Sequence, residues 1–176
     1  MVVPVMTVLT KSEILYHIDE GSIIIDPFDP EQIGPASIDL HLDRQFRLFR
    51  PAREIFHVTD EADYREVTEV IEVDDYFLLL PGQAIHGVTQ ERITLPDNIC
   101  GWIQGRSRFA RIGLMVHVTA NFMQPGITNA RQVLEMNNAG PIPLAIHPGT
   151  SICQIILEDC TGHAHYEGRF QSQQMP

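Results

Sequence analysis

Between Gly105 and Leu114 the chain sets Arg106, Ser107, Arg108 and Arg111 within one or two helical turns, opened by Gly105 and closed by Gly113. Guanidinium groups grip phosphate oxygens, often two at a time, and the amides at the start of a helix favour the same anions. Downstream, Glu135 stands between Leu134 and Met136 in an apolar run. A carboxyl group among apolar neighbours is one whose proton affinity can be tuned for acid–base work. Together these features point to a nucleotide site with a polyphosphate grip and one proton-moving acid. By residue type alone, Glu135 also reads as a solvent-facing strand residue, Ser107 as a helix N-cap and Arg111 as a surface charge.

The elements that must position these groups are mostly short strands. Thr10-Lys11-Ser12-Glu13 has the form of a capping box, and Ile14, Leu15 and Ile18 give the following helix an apolar face that ends at Gly21. Ile23–Ile25 and Ser37–Leu42 read as strands around the breakers Asp26-Pro27 and Asp29-Pro30. Residues 49–75 are acidic and read as an exposed excursion with one or two strands. Tyr76–Leu80 and Ala84–Thr89 flank a Pro81-Gly82 turn, and 98–103 lead into the arginine turn. Beyond it, 114–120, 132–136, 142–146 and 151–158 are strand candidates between Pro/Gly punctuation. Many short strands with few helices predict a mainly β barrel or sandwich. The tail 162–176 is polar and lacks core periodicity.

Composition narrows the classes. A chain of 176 residues fits one domain spanning 1–176. A net charge of −11 argues against general binding to a nucleic acid backbone. No apolar run approaches the ~18 residues of a membrane span, and the opening Met1–Met6 is short and lacks a basic region, so the expected location is the cytoplasm. Cys100, Cys153 and Cys160 lie in apolar surroundings and read as buried thiols. No Cys-x-x-Cys is present, so a deaminase built on this chain is expected to work without zinc. His147, His163 and His165 read as solvated histidines, and no metal-ligand set is assigned.

The run Gly105-Arg106-Ser107-x-x-Ala110-Arg111-x-Gly113-Leu114-Met115-Val116-His117-Val118-Thr119-Ala120 closely resembles the core motif of dCTP deaminases, members of the trimeric dUTPase superfamily. Ile33–Leu42, Leu80-Pro81-Gly82, Ile93–Pro96, Pro148-Gly149-x-x-Ile152-Cys153-Gln154 and Tyr166–Gln173 resemble further family motifs in the family's order. The resemblance implies a distorted jelly-roll β-barrel with a few short helices, residues 162–176 forming a C-terminal lid. It also implies a homotrimer or homohexamer with active sites shared between subunits. The implied reaction is hydrolytic deamination of dCTP to dUTP and ammonia. The alternatives are a dUTP diphosphatase or bifunctional enzyme releasing dUMP, and a non-catalytic nucleotide-binding paralogue.

Carried over residue by residue, the family assigns Glu135 to the proton shuttle and Ser107 and Arg111 to orienting the water and the acid. Arg106, at the opening of the helical turn, is assigned to the phosphates, with Arg169 of the lid a further cation and Arg108, outside the family pattern, adding charge at the phosphate end. His117, Val118, Thr119 and Ala120 fall to the pyrimidine edge, where a donor/acceptor mismatch rejects the wrong base. Gln154, Tyr166, Phe170 and Gln173 complete the substrate contacts. Mg²⁺ is expected only as a companion of the phosphates, held by their oxygens and water. The chain departs from the pattern at Gln124, where an aspartate usually serves the deoxyribose hydroxyl and the attacking water. Glutamine can hydrogen-bond a hydroxyl but cannot take a proton. Phe122 stands where many deaminases carry a cation, an aromatic occurring there in bifunctional relatives. Arg108 replaces a second serine.

Overall fold

Alternation along the strands separates a buried face from the face that carries the site. The fold is a computed structural model describing residues 7–51 and 55–176; the opening segment 1–6 and residues 52–54 of the acidic excursion lie outside it. Its elements run α1 (Lys11–Asp19), β1 (Ile24–Asp26), β2 (Ile38–Phe49), β3 (Thr68–Glu72), β4 (Phe77–Leu79), β5 (Ala84–Thr94), β6 (Ile99–Gly105), α2 (Ser107–Ala110), β7 (Leu114–Met115), β8 (Phe122–Met123), β9 (Ala130–Asn138), β10 (Leu144–Ile146) and β11 (Ser151–Asp159). A nine-stranded sheet has the order β7-β9-β5-β2-β11-β6-β8, with β1 added on β5 and β3 on β2; β10 and β4 pair separately. Every pairing is antiparallel. The sheet curls into a half-barrel, the mainly β, dUTPase-like architecture that the motifs imply.

β2 is the pivot. It buries Ile38, Leu40, Leu42 and Phe46 on one face. Its first half pairs with β11, and its second half pairs with β5 and β3. Irregular register between Leu42 and Phe46, and between Val88 and Arg92 of β5, marks the places where the sheet bends. One apolar cluster, including Ile14, Leu40, Phe46, Ile85, Leu134 and Ile155, forms the core. Polar groups inside it are paired. Glu91 is buried and accepts from the His41 amide at 2.9 Å and from Gln32 Nε2 at 2.7 Å. Arg131 at the start of β9 bonds the Thr89 carbonyl at 2.7 Å and pairs with Asp43 at 2.5 Å, which pins that strand to β5 and β2.

Several expectations need correction. Thr10 precedes α1 but its hydroxyl faces Ser12 Oγ at 3.1 Å and caps no backbone amide. A reciprocal capping box forms instead between Asp29 and Gln32, around a single 3₁₀ turn. Ser107 is the first residue of α2, whose N-cap is Arg106. The predicted strand 114–120 pairs only at Leu114 and Met115, and β8 arises where no strand was read. Hydrophobic alternation records burial, and Val116 is buried; strand length depends on finding a partner, and β7 and β8 lie at the two ends of the sheet. No helix among the described residues is long and apolar enough to cross a membrane.

Candidate active site

Glu135 lies on β9 with Leu134 and Met136 buried on either side, so its side chain takes the opposite face of the sheet. There it joins the wall of a cavity of about 440 Å³. Ile103 of β6, Phe122 and Met123 of β8, and Ile127 and Val133 supply an apolar wall. Polar groups are few: Gln124, Gln132, His86 and Glu135 itself, with Tyr64 from the excursion. A largely apolar chamber with a few convergent polar groups is the usual form of a small-molecule site.

The tail completes the chamber. Tyr166, Phe170 and Gln173 line it. The Tyr166 amide donates to the Pro125 carbonyl at 3.1 Å, the Arg131 amide to Gln173 at 2.9 Å, and Arg47 Nε to the Pro176 carbonyl oxygen at 2.7 Å. The tail therefore runs back over the start of β9 as an ordered strap. Gly126 makes that crossing possible: it has φ of 76°, and a Cβ there would lie 2.4 Å from the His165 ring. Arg169 stays outside the chamber, donating to Asp63 at 3.0 Å. That pairing, with a stronger one to Arg65, holds the Asp63 carboxyl below its ordinary range.

The arginine turn lies elsewhere. None of Arg106, Ser107, Arg108 and Arg111 lines the chamber. Ser107, Arg108 and Arg111 are exposed on the single turn of α2. Arg106 is half-buried and turned inward, pairing with Asp39 at 2.5 Å and bonding Ser151. The close packing of Gly113 against Gly140 fixes where the turn leaves: a Cβ on Gly113 would meet Gly140 at 2.4 Å. Of the pyrimidine-edge candidates, Ala120 lines the chamber and His117, Val118 and Thr119 do not. Gln154 is half-buried on β11, opposite Asp39 and Gln104. Within one chain, then, the fold gathers Glu135, Ala120, Gln124, Tyr166, Phe170 and Gln173, and leaves the serine and the arginines apart.

Sequence reasoning missed His86, Tyr64 and Gln132. His86 sits directly across from Glu135 in the β5–β9 register. Burial is the main influence on its imidazole and holds its pKa below the ordinary value; Glu135 pulls the other way, and Arg47 adds to the lowering. No local motif marks these residues, because only strand pairing brings them together. The cysteines are free, and burial pushes the Cys100 thiol up to about 12.

Residues 8–160 match a family model described as dCTP deaminase-like. A Kocuria rhizophila protein named "dCTP deaminase, dUMP-forming" is 36% identical over 177 residues, covering 96% of this chain and 91% of its own length. A Methanosphaera stadtmanae protein of the same name is also 36% identical, covering 97% and 92%. A Marinomonas protein named dCTP deaminase is 43% identical over 166 residues, covering 89% and 85%. Among solved structures, the 2'-deoxycytidine 5'-triphosphate deaminase from Agrobacterium tumefaciens superposes with a TM-score of 0.69 at 17% identity, over 89% of this chain and 50% of that one. At that identity the likeness is one of fold.

Proposed function

Because the chain belongs to the dCTP deaminase-like family, we propose that it hydrolyses the 4-amino group of dCTP with Glu135 moving the protons. The observation that carries this reading is the placement of Glu135 in the wall of a chamber of base-binding size, lined by apolar side chains and the tail. In the proposed reaction, water gives a proton to Glu135 as its oxygen bonds to C4. Glu135 passes that proton to ring N3, then takes the proton of the new C4 hydroxyl and hands it to the amine, so that the C4=O bond forms as the C4–N bond breaks and ammonia leaves. Gln124, Gln132 and Gln173 offer amides that can hold the pyrimidine and sugar.

The names of the similar relatives favour dUMP as the end product over dUTP. This supports the bifunctional alternative over simple release of dUTP. Release of dUTP keeps one specific observation in its favour: Gln124 lines the chamber where a proton-accepting carboxylate would aid attack on phosphorus.

Among the described residues the chamber wall contains no lysine or arginine, yet a triphosphate needs cations. The exposed Ser107, Arg108 and Arg111 of a second copy are the natural source, so the proposal includes a homotrimer or homohexamer with shared sites. Magnesium belongs to it only as a companion of the triphosphate. No cluster of three or more His, Cys, Asp or Glu side chains converges among the described residues, so phosphate oxygens and water would hold the ion. The test is incubation with dCTP, dCMP, dUTP and a 5-substituted dCTP, read by mass spectrometry and an ammonia assay. Ammonia from dCTP supports the reading, and the ratio of dUMP to dUTP decides the product. No ammonia from any of the cytosine nucleotides would refute it.

A further inference from the structure

Register places Arg47, His86 and Glu135 in one row across three adjacent strands: Arg47 of β2 faces His86 of β5, which faces Glu135 of β9. Directly opposed residues in an antiparallel pair have side chains in reach of one another. The rings of Phe49 and Tyr64 stand edge-on to the imidazole, with centroids at 5.2 and 5.6 Å, and the Arg47 guanidinium lies over the Tyr64 ring at 5.4 Å. These contacts lock the ring in place. His86 lines the chamber, yet its Nδ1 is buried and has no hydrogen-bond partner. Buried polar nitrogens are rarely left unpaired, so this ring, set in the chamber wall, keeps hydrogen-bonding capacity that the fold does not use.

We infer that His86 is a positioning residue of this site, its imidazole supplying a hydrogen bond to the molecule, or to the attacking water, held against Glu135. This rests on the deamination reading above. Ring and carboxylate approach the bound group from neighbouring strands of one rigid sheet, so the imidazole fixes the distance and angle at which Glu135 meets it. Burial, with Arg47 adding to it and Glu135 opposing, holds the imidazole pKa below its ordinary value and so favours the neutral ring, which donates from one nitrogen and accepts at the other.

Steady-state kinetics with dCTP on the wild type, His86→Leu and His86→Gln test the inference. His86→Leu keeps apolar bulk and removes the hydrogen bond; kcat is expected to fall about 10- to 100-fold with KM within about threefold. His86→Gln restores a side-chain donor and acceptor and is expected to recover several-fold of that loss. Wild-type kcat in His86→Leu, a loss confined to KM, or a His86→Gln variant no better than His86→Leu would each overturn it. Should His86→Leu fail to fold, the imidazole ¹⁵N resonances of the wild type report instead: addition of dUTP is expected to shift those of His86, and an unmoved signal refutes the contact. A wild type that releases no ammonia from dCTP removes the deamination reading and this inference together, whereas an active wild type with an indifferent His86→Leu removes only the inference.

Discussion

The Glu135 chamber and the arginine turn are built in opposite ways. The chamber is a cleft: strands β5, β6, β8 and β9 and the tail line it, and among the described residues they set the Glu135 carboxyl group beside apolar side chains and amides. The turn is open, with Ser107, Arg108 and Arg111 exposed and Arg106 spent on Asp39. Apolar surface must be buried for the chain to fold, so one copy by itself brings together the apolar wall around Glu135. Exposed guanidinium groups cost little in water and can wait for a partner. The difference teaches that one chain holds Glu135 in a cavity that the arginine turn does not line, so under the proposed function the acid and the phosphate-binding cations of one copy serve different sites.

The largest test of this contrast lies in the chamber. Glu135→Gln is expected to cut ammonia release by about a thousandfold or more while leaving dCTP affinity within about tenfold; a variant that still turns over would dissolve the proposed role of the chamber. Arg111→Ala is expected to lower kcat about 100-fold without changing thermal stability, because its side chain is exposed. Mixing unfolded Glu135→Gln with unfolded Arg111→Ala and refolding them together should restore activity if the halves meet between copies. No recovery from the mixture would argue that each chain works alone.

Arg106→Ala sharpens the contrast, because Arg106 is the member of the turn that pairs with a carboxylate of its own chain. Nucleotide binding should weaken about tenfold, and the melting temperature should also drop, since Asp39 loses its cation. A lower melting temperature with unchanged binding would make Arg106 a structural residue. Gln124→Asp is expected to raise the dUMP share of the products several-fold; an unchanged product ratio would separate this position from diphosphate cleavage. The smallest effect concerns pH. Burial lowers the His86 pKa, so on acidification the unfolded chain binds this proton first. Stability is therefore full above the ordinary histidine value and declines as pH falls toward the folded value. Urea unfolding across that window should show a shallower slope in His86→Leu than in the wild type.

Much of the frame was legible before the fold was known. The strand centres around Leu40, Ile85, Leu134 and Ile155 follow from alternation and from Pro/Gly turns, which are local signals. The ends of strands were not: β7 stops at Met115 although Val116 is buried, and β8 appears at Phe122. The capping box moved from Thr10 to Asp29 because a side-chain oxygen serves an amide only if the local backbone turns toward it. In the site, Glu135 stood out as an acid in an apolar run, whereas His86 looked like any strand histidine.

The sequence by itself determined the residues that could do chemistry, the β character of the chain and the family motifs, because these are written in residue type and short-range spacing. Only the tertiary structure decided that His86 faces Glu135, that Arg106 is turned onto Asp39, and that the tail straps across β9 to line the chamber. Those facts depend on strand register and on contacts between residues far apart along the chain, and such contacts are set by the joint packing of all the strands around one core.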